Sequence, residues 1–144
     1  MSRVLSLAAL ACLASTVQAQ AKLEFLQINP QTTAPFSPAV RVGKMIYLAG
    51  QIGTKEGKVV SGGIGPETRQ TLLNIKEVAE KAGSDMEHIA KCTVFLADMK
   101  EWGAMNDVYR TFFSPGKFPA RSAFGTTGLA LDARTEIECI AVVK

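Results

Sequence analysis

The sequence predicts an α+β fold: one β-sheet with two helices packed on a single face. Three observations predict it. Strand-like runs, a helical pattern, another strand, a second helical pattern and further strands follow one another in that order. Leu72, Ile75, Ala79 and Ala82 recur at helical spacing and give residues 66–82 one apolar face. Between the helical patterns, Cys92-Thr93-Val94-Phe95-Leu96 is short, apolar and β-branched enough to be a buried strand. The 144 residues are 47% apolar and 20% charged, which excludes a disordered chain, a collagen-like repeat and a disulfide-dense miniprotein. They are too few for two full domains, each of which takes roughly 100–200 residues.

The first segment has a different composition. Arg3 precedes a small, apolar run over residues 4–14, and Val17-Gln18-Ala19 ends it with small residues at the spacing a signal peptidase reads. A basic start, a short apolar run and an A-x-A-like end predict a secretory signal peptide over residues 1–19, with Ala21 as an alternative cleavage point. The run is shorter than the roughly 20 apolar residues of a membrane span. Residues 20–144 then form one domain, expected to be periplasmic or secreted and off the membrane after cleavage. Arg3 and Cys12 leave with the signal, so Cys92 and Cys139 remain. Both lie in apolar strand-like runs, which predicts buried free thiols. An oxidising compartment also permits a disulfide between them, if their Cα atoms come within about 7 Å.

Along the domain, residues 23–28 alternate weakly and suit an edge strand. Pro30, Pro35 and Pro38 make residues 29–38 an extended loop. Residues 40–42 and 45–52 flank Gly43-Lys44 and read as a hairpin, with Gly50 marking a bulge or a close backbone approach. Residues 53–65, rich in glycine and polar groups, read as a loop. In the first helix, Pro66 suits the first turn, Glu67 the positive N-terminal end and Gly83 the C-terminal stop. Asp98-Met99-Lys100-Glu101 has the form of a capping box and starts a second helix to about residue 113, with Met105, Val108, Tyr109 and Phe112 inward. Ser114-Pro115-Gly116 ends it, and residues 121–126 and 135–143 are the last strands. Two helices cannot cover both faces of such a sheet, so an uncovered apolar face is expected to self-associate.

Little of the chain suggests nucleic-acid or metal chemistry. The net charge of +3 comes from 16 scattered basic residues against 13 acidic ones, and aromatic residues are not interleaved with basic ones. His88 is the only histidine and is expected at the solvated surface, which disfavours His-based triads and zinc hydrolase sites; no metal is expected. Ser61-Gly62-Gly63-Ile64-Gly65 lacks the Lys-Ser/Thr of a phosphate-binding loop.

Two charged positions stand out. Arg121 follows Pro119 in an otherwise apolar strand, so it either snorkels to solvent or meets an anion, which its planar fork can bind with two parallel hydrogen bonds. Glu136 and Glu138 lie at period two, opposite Ile137 and Cys139. If Ile137 and Cys139 meet the helices, both acids lie on the uncovered face and need a partner, solvent or a function there.

Several ordered pieces resemble the Rid (YjgF) family over about residues 35–143. They are Pro35-Phe36-Ser37-Pro38-Ala39-Val40, Ala49-Gly50-Gln51-Ile52 and Thr68-Arg69-Gln70-Thr71-Leu72-Leu73-Asn74-Ile75. Then follow Lys91-Cys92-Thr93-Val94-Phe95-Leu96-Ala97-Asp98, residues 106–113, Phe118-Pro119-Ala120-Arg121-Ser122 and Thr135-Glu136-Ile137-Glu138. The resemblance implies a chorismate-mutase-like mixed sheet with two helices on one face, in a homotrimer with pockets at subunit boundaries. It implies a cofactor-independent deaminase that hydrolyses 2-imino acids and their enamine tautomers to 2-keto acids and ammonia. Arg121 would hold the substrate carboxylate, Glu136 the water and protons, and Gly50, Asn106, Phe36 and Ala123 would match further pocket positions. Where the deaminase branch often carries tyrosine, serine and cysteine, this chain has Phe36, Ala49 and Ala123. Those lost polar groups motivate the alternative of a non-catalytic small-carboxylate-binding module or a holdase-type stress protein. Ribonuclease activity, described for some relatives, is disfavoured by the near-neutral charge and the lack of a catalytic histidine.

Overall fold

Helical and strand periodicities resolve into a six-stranded sheet with two helices on one side in the computed structural model, which describes residues 22–27 and 33–144. The expected signal peptide and the start of the proline-rich loop lie outside the described residues. The strands are β1 (Leu23–Leu26), β2 (Ala39–Val42), β3 (Met45–Ile52), β4 (Thr54–Lys55), β5 (Lys58–Val59), β6 (Ile89–Leu96), β7 (Ala120–Gly125) and β8 (Thr135–Val142). The helices are α1 (Ile64–Lys81) and α2 (Trp102–Tyr109). The main sheet runs β1-β2-β3-β8-β6-β7. Its pairs are antiparallel except β6 with β7, which are parallel because α2 carries the chain back between them.

Alternation along the strands sorts the two faces. Ile46, Leu48, Val94, Leu96, Ile137, Cys139 and Ala141 point to the helices and are buried against Leu72, Ile75 and Ala79 of α1 and Met105 and Tyr109 of α2. The other face holds Glu136 and Glu138 as expected, among Leu23, Phe25, Tyr47 and Phe124, each of which is about half exposed or more. Among the described residues nothing covers that apolar face.

The start of α1 differs from expectation. Residues 53–65 are not a plain loop: β4 and β5 form a small hairpin, and the helix begins at Ile64. Its end is as expected. Gly83, at φ 85, lets its own N–H reach the Glu80 carbonyl and the Ser84 N–H reach Ala79, so the last carbonyls are satisfied. The expected capping box is half formed. Asp98 Oδ1 accepts from the Lys100 N–H at 2.9 Å, but Glu101 turns away to Arg134 at 3.1 Å, and a 3₁₀ turn precedes α2.

Cys92 and Cys139 are a disulfide, not free thiols. Antiparallel pairing of β6 with β8 sets them directly opposite each other on the helix side, with Cα atoms 4.1 Å apart. His88 is partly exposed, with Nδ1 2.6 Å from Asp85 Oδ1. This bond is the main cause holding the Asp85 carboxyl below its ordinary value. Among the described residues no helix is long and apolar enough to cross a membrane.

Candidate functional site

The polar groups singled out in the sequence collect at two places. The first is a cavity of about 400 Å³ beside the edge strand β7, lined by Asn106, Tyr109, Arg110, Phe118, Pro119 and Arg121. The extended segment before β7 supplies Phe118 and Pro119, β7 itself Arg121, and α2 with the 3₁₀ turn after it Asn106, Tyr109 and Arg110.

Arg121 is in register with Cys92, so it leaves the sheet on the helix side. Its guanidinium carbon lies 4.5 Å from the Tyr109 ring centroid and 6.0 Å from that of Trp102. Among the described residues it makes no ion pair and no side-chain hydrogen bond. Arg110, by contrast, donates from Nε to the Asn106 carbonyl at 3.3 Å and sits 3.7 Å from Asp107. The cavity thus holds one partly buried cation whose donors are unspent, which suits a small carboxylate. Ala123 lies on the same strand and side as Arg121, two residues on, and packs partly against the core.

The second place is the uncovered face. Glu136 is half-buried beside the bulge that shifts the β3–β8 register between Leu48 and Gln51. A Cβ at Gly50 would collide with Glu136 Oε1, so the carboxylate lies directly over the glycine backbone. Gln51 Nε2 donates to the Gly50 carbonyl at 3.1 Å and to that of Ala49 at 3.3 Å, bracing the bulge. Phe36 is exposed in the bend before β2 and does not line the Arg121 cavity.

Arg121 and Glu136 do not meet within one chain. Glu136 pairs with Phe95, which pairs with Phe124, three residues past Arg121. The two positions are therefore two strands and three residues apart, roughly 14 Å at about 4.8 Å per strand and about 3.3 Å per residue, and their side chains leave opposite faces of the sheet. No small 2-imino acid spans that gap.

Helix α1 positions the Glu136 half from behind. The buried Glu67 accepts the N–H of Arg134 at 2.5 Å and of Thr135 at 3.1 Å, both just ahead of Glu136. Asn74 Nδ2 donates to the Ile52 and Thr54 carbonyls at 3.0 and 2.9 Å, and Gln70 Nε2 holds Asn74 Oδ1 at 2.8 Å. Spacing and charge predict Glu67 at the positive end of the first helix and Tyr109 in the core, and give neither a role beside the site. The sequence marks Glu67 as an acid four and eight residues ahead of Thr71 and Ile75, on the apolar side of the helix.

Comparison with known proteins agrees with this architecture. Residues 26–143 match the family described as Endoribonuclease L-PSP. The mouse 2-iminobutanoate/2-iminopropanoate deaminase is 42% identical over 115 residues, covering 78% of this chain and 84% of that protein. The crystal structure of yeast Mmf1 superposes with a TM-score of 0.79 at 33% identity, over 85% of this chain and all of that one. That of E. coli TdcF with bound serine has a TM-score of 0.75 at 28% identity, over 84% of this chain and 99% of that one.

Proposed function

The chain belongs to the Endoribonuclease L-PSP family, the Rid or YjgF proteins, and from that premise we propose that it hydrolyses reactive 2-imino acids to 2-keto acids and ammonia. One observation carries the reading: Arg121 presents an unpaired guanidinium to a cavity sized for a small organic acid. The relatives named as 2-iminobutanoate/2-iminopropanoate deaminases supply the class of acid.

Such a substrate asks little of the protein. Its imine carbon is already electrophilic, so no cofactor has to activate it. Arg121 takes the carboxylate in two parallel hydrogen bonds and fixes the plane of the imine. Glu136 accepts a proton from water as the oxygen bonds to the imine carbon, and the C=N π pair moves to nitrogen. Glu136 returns that proton to nitrogen. Glu136 then takes the carbinol proton and passes it to the amino nitrogen as the C–N bond breaks, so that ammonia leaves and the carbinol oxygen becomes the keto oxygen. An enamine tautomer enters after protonation at its β-carbon.

Because the two side chains leave opposite faces of one sheet, the Arg121 cavity of one subunit works with the Gly50–Glu136 pair of a neighbour. A homotrimer that buries the uncovered apolar face supplies that neighbour. Export is part of the proposal, since a buried disulfide suits an oxidising compartment. In the test, an amino-acid oxidase generates imino acids and their disappearance is followed with purified protein. Wild type accelerates it and Arg121→Ala does not; equal rates for wild type, variant and buffer overturn the reading. Light scattering of a trimer is expected, and a monomer at micromolar concentration sinks the shared site. The second reading, a carboxylate-binding module without turnover, draws on Phe36, Ala49 and Ala123; 2-keto acid bound at Arg121 without turnover would select it.

A further inference from the structure

Tyr109 is a buried titratable group that lines the Arg121 cavity and that the proposed mechanism leaves unused. It is 4% exposed, and its ring packs tilted by 41° against that of Phe113 with centroids 4.9 Å apart. Its hydroxyl is buried with no hydrogen-bond partner among the described residues, so it is closed off from both solvent and the cavity. What Tyr109 offers the cavity is the ring itself, beneath Arg121 at 4.5 Å.

We infer that Tyr109 is a positioning residue for substrate binding, whose ring face holds the Arg121 guanidinium so that its N–H fork stays free for the substrate carboxylate. A guanidinium has two separate binding modes. Its face is attracted to the negative face of an aromatic ring, while its five N–H donors point outward in its own plane. An acidic side chain beside Arg121 would also fix it, but would consume those donors. An aromatic platform fixes the group and spends none of them. The Trp102 ring, 6.0 Å away, flanks the same charge as a second, more exposed wall. The burial of Tyr109 by its own chain makes this platform independent of any neighbouring subunit.

The inference rests on the proposed function for the identity of the ligand, but its test does not need turnover. The dissociation constant of 2-oxobutanoate, a product-like carboxylate, is measured by calorimetry on the intact protein, alongside imine turnover. Phenylalanine at position 109 keeps the ring face and is expected to bind within about twofold of wild type. Tyr109→Leu is expected to weaken binding roughly 5- to 10-fold, raising KM by more than it lowers kcat. Phenylalanine analogues of rising fluorination at position 109 keep the shape while draining the ring face of negative potential. Binding should weaken step by step along that series, which a packing role would not cause. A flat fluorination series, or Tyr109→Phe as impaired as Tyr109→Leu, overturns the inference. A graded series without imine turnover upholds the platform and removes the deaminase reading; turnover with a flat series does the reverse.

Discussion

The carboxylate of Glu136 rests on the backbone of Gly50, with no room for even a methyl group between them. A methyl at position 50 would meet the far end of a flexible side chain, so the fold would survive and Glu136 would swing aside. Gly50→Ala is therefore expected to lower kcat for imine hydrolysis by roughly 100-fold, the order a displacement of about 1 Å can cost, with the thermal midpoint nearly unchanged. Unchanged kcat would show that Glu136 is not poised by this contact.

Glu67 should matter for stability beyond any dipole effect. Glu67→Ala leaves the Arg134 and Thr135 N–H groups without their acceptor. At about 1–3 kcal/mol per orphaned donor, the two together should cost roughly 2–6 kcal/mol in denaturant unfolding, toward the lower end because the Arg134 N–H is only part-buried. Glu67→Gln keeps a carbonyl oxygen in place and should lose less than half as much. Equal losses would mean that the charge, not the acceptor geometry, does the holding.

The disulfide closes a sequence separation of 47 residues. Restricting the unfolded chain by a loop of that length stabilises by about 4 kcal/mol in the chain-entropy description. The Cys92→Ala/Cys139→Ala double variant should lose stability of that order. With Cys92 fully buried and Cys139 3% exposed, reductant should free the thiols only after unfolding. Two thiols titrating in denaturant without reductant would exclude the bridge.

Alkaline pH should act through Tyr109. Burial pushes its phenol from 10.0 up to about 12, and the charge of Arg121 offsets only part of that rise. The folded state therefore favours the neutral phenol. Its contribution is fully present below pH about 10 and is lost as pH rises toward about 12. Wild type should thus lose stability relative to Tyr109→Phe across that window, read as denaturant midpoints at successive pH values. Parallel curves would remove the phenol from the alkaline transition.

The local elements were legible because their causes are local. Leu72, Ile75 and Ala79 declare the buried face of α1, and Gly83 ends it because that position must take a positive φ. Period-two alternation placed Glu136 and Glu138 opposite Ile137 and Cys139 without any structure. Family-like motifs marked Arg121, Gly50 and Asn106, and the Gln70–Asn74 part of those motifs proves to be a brace for the end of β3.

What tertiary structure decided is everything that depends on how non-adjacent strands pair. Alternation assigns faces within one strand but says nothing of register between β6, β7 and β8. That register alone joined Cys92 to Cys139 and sent Arg121 out on the side opposite Glu136. It also set Arg121 over the ring of Tyr109, which from spacing alone was one more apolar residue on a helix. The sequence by itself determined which side chains carry charge and which faces are apolar. The packing of strands far apart in the chain determined which face of the sheet and which neighbours each of those charges has, because hydrogen-bonded register is a long-range property that no local pattern encodes.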